Sequence, residues 1–504
     1  MLNDADQLPG RPTSLWMATT PPTSFPPLGA DLTVDVAIVG GGLAGITTAT
    51  LLKAEGKSVA VIESNRVAEG VSGFTTAKIT SQHSIIYDRL IHSFGEQKAR
   101  AYGDANQAAI EQIASLANTF GIDCDFRRSD AFVFTEKEEE VDSFRTEADS
   151  ARRLGLPAEF LESVPLPFPV KGAVRFSGQA SFHPRKYLVA LAQRLPGEGS
   201  FIFENTRVTG LHGGEPCTVE TERGNVYAGH VVVASHFPFN EKLFYALRMY
   251  QHRSYVLGLR LNGELPNGMF ISTEPTHSIR PHFDEEGGLL LVGGEGHRTG
   301  EGGDTVARYR RLEQWATDHF PVRTIEYRWS TQDNKTADGL PYIGRLMPTS
   351  EHVFVATGFG GWGMTNSTVS GMLLRDLILG RENPWADVYD PNRMGLEAVS
   401  GSAKHIGSVA SHFVGDRHAD GEIASLRPGE GMIVHSDEGK VAAYRAEDGS
   451  IHKLSPACPH MGCFVQWNSA EKSWDCPCHG SRFSIEGEVL EGPAISPLKE
   501  FGES

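Results

Sequence analysis

The sequence lacks long apolar runs and is poor in basic residues. Its longest apolar runs, such as 36–39 and 289–292, are far shorter than the roughly 20 residues that span a bilayer, so we expect no integral membrane association. Lys and Arg number 46 against 63 Asp and Glu, a net charge of −17, and no basic stripe is present, so nucleic acid is excluded as a partner. Residues 1–30 carry neither a basic segment before an apolar core nor a twin-arginine pair, so we expect a cytoplasmic protein.

Cysteine is scarce and unevenly placed, and its distribution divides the chain. Of six cysteines, Cys124 and Cys217 are isolated, whereas the other four lie within residues 458–478. Such clustering is typical of a metal site or of disulfides. The predicted segments are an N-terminal arm, 1–33, a long part, 34–391, a small and polar linker, 392–422, and a short module, 423–504. The proline-rich arm is either laid over a domain or disordered.

A glycine-rich loop follows the first strong strand signal. Residues 34–39 form a short apolar run of the kind expected for a strand buried on both faces, and Gly-Gly-Gly-Leu-Ala-Gly follows directly at 40–45. Residues 46–55 predict a helix, and residues 58–62 predict a second strand that ends in Glu63. The order of strand, glycine loop, helix, strand and acid indicates a dinucleotide-binding unit.

The residues of this unit have distinct physical roles. Gly40 permits the tight turn, Gly42 lets the backbone approach a pyrophosphate, and Gly45 lets the helix pack closely on the strand. The helix N-terminus adds positive potential at the phosphates. Glu63 can accept hydrogen bonds from both hydroxyls of an adenosine ribose and would repel a 2′-phosphate. The unit by itself does not decide between NAD and FAD.

Three further segments, 70–78, 337–344 and 353–365, bear on the choice of cofactor. In order and content they resemble the landmarks of the D-amino acid oxidase, sarcosine oxidase and glycine oxidase superfamily of flavoenzymes, and the resemblance covers about residues 34–391. It implies FAD as cofactor and an α/β FAD-binding Rossmann-type fold. It also implies an antiparallel substrate sheet (α+β), at about residues 172–331.

The same resemblance implies which residues contact FAD. In that superfamily the first glycine loop and the acid hold the ADP half of FAD, and the segment after the second strand runs past the isoalloxazine. The last loop precedes a helix whose N-terminus is directed at the flavin. The implied contacts are Gly40, Gly42, Leu43, Ala44, Gly45, Glu63, Ser64, Thr75, Thr76, Val208, Gly358, Gly360, Gly361, Gly363 and Met364. Neither Cys124 nor Cys217 lies in the last loop, so we expect FAD to be bound non-covalently.

The part that would select the substrate offers polar candidates but no catalytic set. Hydride transfer from an amine to a flavin can proceed without a protein acid or base, so the missing dyad does not argue against it, and the catalytic residues stay unassigned. The polar candidates are His183, His236, Tyr255, Arg280, His282, Glu295, His297 and Arg298.

The C-terminal module carries a second cofactor motif, C-x-H, then fifteen residues, then C-x-x-H. Structural zinc is the competing interpretation, but the spacing fits a zinc ribbon poorly. The motif closely resembles the Rieske family, and two additional cysteines resemble its respiratory-complex subtype. The resemblance implies a small all-β domain with a Rieske [2Fe-2S] cluster on Cys458, His460, Cys476 and His479, and a disulfide between Cys463 and Cys478. In this chemistry two thiolates hold one iron and two imidazoles hold the other.

The pair of cofactors predicts a function. FAD takes two electrons as a hydride, whereas a Rieske cluster passes electrons singly. The pair therefore indicates a dehydrogenase that passes electrons from FAD through the cluster to an external one-electron acceptor. The resemblance to amine and amino acid oxidases implies that the oxidised bond is the C–N bond of a small amine or amino acid. The alternatives are an NAD(P)H-dependent reductase, which would need a second Rossmann unit, and a non-enzymatic redox sensor. A Rieske oxygenase is excluded, because residues 480–504 are too few for its mononuclear iron domain.

Overall fold

The computed structural model describes residues 8–239, 245–284, 286–393, 402–403, 405–407, 409, 421–436 and 439–501. Most of the predicted linker, 392–422, and the first residues of the predicted arm lie outside the described residues. In the described chain, two large sheets with helices precede a small all-β unit. No helix of the described chain combines the length and the apolar character needed to cross a membrane.

The first sheet is the Rossmann-type core. Its strands are β2 (Leu32–Val39), β3 (Val59–Ile62), β8 (Phe201–Phe203), β9 (Val208–His212), β10 (Cys217–Thr221), β11 (Gly224–Val233), β17 (Tyr342–Arg345) and β18 (Val353–Thr357). The central order β18-β11-β2-β3-β8 is parallel throughout. Parallel strands are covered on both faces, and residues 36–39 are accordingly buried.

Two helices that lie against each other cover this core. The first, α2 (Leu43–Ala54), begins three residues before the predicted helix at 46–55, because the first helical turn forms directly after Gly42. It packs on α8 (Gly363–Ile378). A Cβ on Gly371 of α8 would lie 2.8 Å from the Thr47 side chain of α2, so glycine at this position permits the close packing.

The second sheet is predominantly antiparallel. Its strands are β1 (Arg11–Pro12), β4 (Lys78–Ile79), β5 (Arg127–Thr135), β6 (Ala158–Leu161), β7 (Gly172–Ser181), β12 (Met249–Leu261), β13 (Met269–Ser272), β14 (Ser278–His282), β15 (Leu289–Arg298) and β16 (Val322–Thr336). The sheet therefore extends beyond the predicted interval 172–331, and β8 to β11 within that interval join the first sheet. The chain crosses between the two sheets several times, and short apolar runs look alike in either sheet.

Seven further α-helices of the described chain lie outside the pair of α2 and α8. They are α1 (Leu15–Thr19), α3 (Tyr87–Phe94), α4 (Glu96–Thr119), α5 (Val141–Arg153), α6 (Pro184–Ala192), α7 (Thr305–His319) and α9 (Ala386–Tyr389). From residue 8 onward the arm is laid over the fold: β1 pairs with β16, and Trp16 of α1 is completely buried. Of the two alternatives for the arm, the described part adopts the ordered one.

The C-terminal unit consists of two small antiparallel sheets. Their strands are β19 (Gly431–Ser436), β20 (Gly439–Arg445), β21 (Ile451–Leu454), β22 (Gln466–Asn468), β23 (Ser473–Asp475), β24 (Arg482–Phe483) and β25 (Val489–Glu491). Its core includes Trp474 and Phe483, both completely buried. The predicted fold class, an α/β Rossmann-type part with an antiparallel sheet followed by a small all-β domain, is confirmed.

Candidate active site and cluster site

A cavity of about 1110 Å³ lies between the first and second sheets. The predicted FAD contacts on its wall are Gly40, Gly42, Leu43, Ala44, Glu63, Ser64, Thr75, Thr76, Val208, Gly360, Gly361, Gly363 and Met364. The structure thus brings together residues that lie more than 300 positions apart in the sequence. Two predicted contacts, Gly45 and Gly358, lie beside the wall instead of on it.

The glycine loop forms a cradle that side chains would fill. Gly40 has a φ of 113°, and a Cβ there would lie 2.5 Å from the carbonyl oxygen of Ala234. A Cβ on Gly45 would overlap the carbonyl oxygen of Gly40, so Gly45 serves the packing of α2 and not the cavity surface. The bare backbone at the N-terminus of α2 leaves room for a pyrophosphate, which fits FAD.

Glu63 is fixed at the end of β3 by backbone and side-chain donors. Its Oε2 accepts the amide N–H of Gly41 at 2.7 Å, and its Oε1 accepts the amide N–H of Asn65 at 2.8 Å. The Ser64 hydroxyl also donates to Oε1, at 3.1 Å. The carboxylate therefore has a set orientation on the cavity wall, as binding of a ribose requires.

The last glycine loop brings the N-terminus of α8 to the cavity. Gly360 and Gly361 have φ values of 59° and 95°, a left-handed conformation that favours glycine. Trp362 stacks on His83, with ring centroids 4.8 Å apart, and α8 begins at the next residue. The free amides and the dipole of this helix can stabilise negative charge in the cavity, which suits a reduced flavin.

The polar candidates of the substrate part are dispersed. The candidates on the cavity wall are His236 and Glu295. Of the others, His183 accepts the amide N–H of Lys186 at the start of α6, and Arg280 lies against Trp16 and donates to the Phe182 carbonyl. The remaining candidates, also away from the cavity wall, are Tyr255, His282, His297 and Arg298.

Lys78 is a cavity residue that the sequence did not single out. It is the last residue of the flavin segment 70–78, which also holds Thr75 and Thr76, and its Nζ donates to the Phe270 carbonyl at 2.6 Å. Burial, and then the positive charge of Arg280, lower the pKa of Lys78 to about 7. Its position at the end of a recognised landmark was the available signal, but its pKa depends on Arg280 of β14, which is about 200 residues away.

The floor of the cavity is formed by residues that pair across β12 and β16. His252 of β12 is opposite Asp333 of β16, and both line the cavity. Burial, and then Lys335, lower the pKa of His252 to about 3, so its imidazole is neutral. Burial raises the pKa of Asp333 and lowers the pKa of His236. Neutral imidazoles here can donate or accept hydrogen bonds without adding charge.

The cluster motif lies on two loops that share one backbone design. In the first loop, Cys458 donates its N–H to the Cys463 carbonyl at 2.8 Å, and in the second, Cys476 donates to the Ser481 carbonyl at 2.8 Å. The predicted disulfide between Cys463 and Cys478 is present and joins the two loops. Cys458 and Cys476 are buried thiols outside any disulfide.

The two predicted histidine ligands complete a donor set that fits a Rieske cluster. The rings of His460 and His479 lie 5.0 Å apart, and Nδ1 of His479 is buried without a hydrogen-bond partner, as an iron-binding nitrogen would be. Within the described chain, no three His, Cys, Asp or Glu side chains are placed to hold one metal ion. A Rieske cluster takes two protein ligands at each iron, whereas structural zinc takes four at one ion.

The second cluster loop lies against the second sheet. Gln332 of β16 donates its Nε2 to the carbonyl of Gly480 at 2.9 Å, and the Gly480 Cα faces the Gln251 side chain of β12 so closely that a Cβ would overlap it. Gly300, which follows β15, also lies close to the second cluster loop. A Cβ on Gly300 would lie 2.5 Å from the Pro477 Cα. The cluster loop and the cavity thus share β12 and β16.

Two cofactor sites of these kinds in one chain define a class of protein, an FAD-dependent oxidoreductase that carries a Rieske domain. The chain belongs to the FAD dependent oxidoreductase family, whose model matches residues 35–377, and a Rieske [2Fe-2S] domain model matches residues 417–502. FAD and one [2Fe-2S] cluster are its cofactors.

Individual relatives agree with this assignment. YhfW of Bacillus subtilis, named as a Rieske 2Fe-2S iron-sulfur protein, is 39% identical over 498 residues, which cover 97% of each chain. Gamma-glutamylputrescine oxidoreductase of Escherichia coli is 25% identical over 375 residues, 71% of this chain and 86% of its own. The structure of glycine oxidase from Geobacillus kaustophilus matches with a TM-score of 0.61 and 22% identity, over 72% of this chain and 99% of its own.

Proposed function

We propose that this protein is a dehydrogenase that oxidises the C–N bond of a small amine or amino acid and passes the electrons through its Rieske cluster to an external one-electron acceptor. One observation carries this proposal: the loop with two cluster ligands packs on the same strands that line the FAD cavity. The hydrogen bond from Gln332 to Gly480 makes the contact direct. Fused domains that worked separately would not need this contact.

Strand β16 supports a short electron route. Gln332 of β16 contacts the cluster loop and also lines the cavity, as do Asp333 and its cross-strand partner His252. One side chain, that of Gln332, therefore reaches both cofactor sites. When bound, FAD supplies a two-electron hydride acceptor and the cluster a one-electron carrier.

Lys78 supports amine or amino acid oxidation, because it can remove the proton that blocks the reaction. A hydride leaves the carbon next to an amine only when the nitrogen lone pair is free, so a substrate ammonium must first lose a proton. With a pKa of about 7, Lys78 Nζ is uncharged above neutral pH and can accept that proton inside the cavity. The oxidised substrate is an imine, which water hydrolyses.

The named relatives support the same substrate class. They include gamma-glutamylputrescine oxidoreductase, glycine oxidase and an L-proline dehydrogenase from P. horikoshii. Putrescine derivatives, glycine and proline all carry a C–N bond next to an oxidisable carbon. In the described chain, α8 is followed by α9, with no strand to complete a second nucleotide-binding unit that a nicotinamide would need.

The test is anaerobic absorbance of the purified holoprotein, mixed separately with secondary amines, polyamine derivatives, amino acids, NADH and NADPH. We expect one of the C–N compounds to bleach the flavin band, and the cluster band to follow. Bleaching by a nicotinamide alone would overturn the proposal in favour of a reductase. If no compound bleaches the flavin, while dithionite reduces both cofactors, the redox-sensor alternative is favoured.

A further inference from the structure

A cluster of buried charges lies where the Rieske domain meets the second sheet. We call it the interdomain charge cluster, and its members are Arg253, Glu471, Asp475, Arg482 and Glu491. Arg253 is on β12, whereas the other four belong to the Rieske domain. Its two arginines are 1% and 6% exposed.

Arg482 organises the Rieske side of this cluster. Its guanidinium donates to Asp475 at 3.0 Å, to Glu491 at 3.1 Å and to Glu471 at 3.2 Å. Three carboxylates therefore surround one cation within the Rieske domain. Arg253 supplies the second positive charge, with its Nη2 donating to Glu471 Oε2 at 2.6 Å. Burial acts to raise the pKa of Glu471, but Arg253 and Arg482 hold it below its usual value.

Arg253 is unusual because its hydrogen bonding is directed away from its own domain. In the described part of the chain, its Nε and Nη1 are buried without hydrogen-bond partners, and Nη2 bonds only to Glu471. Arg253 also lines the cavity, but the carboxylates that balance its charge, Glu471 at 2.6 Å and Glu491 at 3.9 Å, both belong to the Rieske domain. Because a buried guanidinium without an ion-pair partner is costly, burial of Arg253 is stabilised by docking of the Rieske domain.

The segment that contains Glu471 is held by neutral contacts as well. Tyr309 of α7 donates its hydroxyl hydrogen to Glu471 Oε1 at 3.3 Å, and Thr305 accepts the Ala470 amide N–H at 3.0 Å. These contacts fix where the segment lies, whereas Arg253 compensates the negative charge of Glu471. The same segment precedes β23, which leads directly into the second cluster loop.

We propose that Arg253 is a positioning residue that holds the Rieske domain against β12 and β16 and so sets the rate of electron passage from FAD to the cluster. The inference rests on the proposed direction of electron flow. Arg253 acts through Glu471 and the Rieske domain, and it does not itself bind the cluster. Without it, Glu471 keeps its charge at the domain boundary with one fewer cation, and the undocked arrangement gains population.

The chain offers a matched control on the same strand. Arg260 of β12 is 6% exposed, like Arg482, and it pairs with Asp284 at 2.9 Å and with Glu326 at 2.9 Å. Both partners belong to the same domain as Arg260. Arg260→Met therefore removes a buried, ion-paired arginine without touching the interdomain charge cluster, whereas Arg253→Met removes the interdomain contact.

The test measures electron passage directly, in the holoprotein, by flash photoreduction with deazariboflavin under anaerobic conditions. The flavin band reports arrival of the electron, and the cluster band reports its transfer. We expect Arg253→Met and Glu471→Gln each to slow the transfer by about tenfold or more, the loss that a removed buried charge contact can cause, with unchanged FAD and iron content. Arg260→Met should leave the transfer rate unchanged.

A second readout, amide hydrogen exchange, covers the case in which a variant loses a cofactor. Residues 469–475 should exchange faster in Arg253→Met than in wild type or Arg260→Met. Unchanged transfer and unchanged exchange in both interdomain variants would overturn the role of Arg253. If the wild type itself shows no transfer from flavin to cluster, the proposed function fails instead, so the two failures are distinguishable.

Discussion

At the scale of single residues, the surroundings of a side chain change its chemistry more than its identity does. Lys78 would be a surface cation in most contexts, but here it faces the FAD cavity with Arg280 behind it. In the described chain, Arg280 is itself buried with two nitrogens lacking hydrogen-bond partners. Two cations in a poorly hydrated region disfavour each other's charge, and the lysine, with the lower ordinary pKa, is the one that gives up its proton near neutral pH.

Replacing Lys78 by Met tests this reasoning through stability. Because the pKa of Lys78 falls from 10.5 to about 7 on folding, the unfolded chain binds more protons between these values, and wild-type stability rises with pH across that window. Relative to wild type, Lys78→Met should therefore be more stable at pH 6 than at pH 10, by on the order of 1–3 kcal/mol. Urea unfolding at pH 6, 8 and 10 measures this difference.

The hydrogen bond from Lys78 to the Phe270 carbonyl is lost in the variant at every pH, so it contributes a nearly constant offset. Only the change of the difference with pH reports the lowered pKa. A difference in unfolding free energy that stays constant from pH 6 to pH 10 would contradict the assignment.

At the scale of elements, the two cluster loops show how a small domain holds the four predicted cluster ligands in place. Each loop closes on itself through a backbone hydrogen bond, and the disulfide between Cys463 and Cys478 joins one loop to the other. The Ser481 hydroxyl in the second loop accepts the Ala494 amide N–H at 3.0 Å, which connects residues 492–494 to this loop as well. The ligand loops therefore do not depend on long regular strands.

Removing the disulfide should loosen the cluster but not the flavin. A bridge that spans 15 residues restricts the unfolded chain by roughly 3 kcal/mol, so Cys463→Ser with Cys478→Ser should lower the temperature at which the cluster band bleaches. Release of FAD, followed by its fluorescence, should be unchanged. Equal bleaching temperatures in variant and wild type would show that the bridge contributes nothing.

Cys217→Ser is the control for loss of a thiol. Cys217 is buried in the first sheet, far along the chain from the cluster motif, and its Sγ donates to the Gly214 carbonyl at 3.3 Å. A serine hydroxyl can make the same hydrogen bond. This variant should keep the wild-type bleaching temperature of the cluster.

At the scale of the whole molecule, the two cofactor sites are built on one shared sheet. Strands β12 and β16 line the cavity, and they also contact the second cluster loop through Gln251 and Gln332. Residues of the Rieske domain, among them Leu490 and Pro493, line the cavity too. The position of the Rieske domain therefore shapes both the electron route and the space around FAD.

Gly300→Ala should disturb this arrangement from the side of the second sheet. A Cβ on Gly300 would lie 2.5 Å from the Cα of Pro477, which follows the predicted ligand Cys476, so the cluster loop must shift. Overpacking of this kind costs about 1–3 kcal/mol, and we expect transfer from flavin to cluster to slow by up to about tenfold. The same flash photoreduction measures it.

Gly303→Ala is the matched control for this prediction. Gly303 lies in the same loop and also has a positive φ, 59°, but a Cβ there has nothing within 4 Å. It therefore carries the backbone strain of a left-handed alanine without pressing on the Rieske domain. Equal transfer rates in the two variants would show that the contact with Pro477 does not position the cluster.

The sequence by itself determined the features that depend on neighbouring residues. The turn at Gly40 and the two cluster loops each need particular residues within a few positions, because φ angles and ligand spacing are local properties. The resemblance that these motifs carry to known families also implied both cofactors and the fold class. Val208, one of the FAD contacts that the resemblance implied, does lie on the cavity wall.

The tertiary structure alone decided the features that depend on distant residues. Histidine and arginine are common in functional sites, yet His183 and Arg280 make structural contacts away from the cavity. Lys78 and Asp333 line the cavity instead. Burial and charge are set by elements hundreds of residues apart, so no local pattern records them. The docking of the Rieske domain by Arg253 belongs to the same group, because each domain supplies part of the contact.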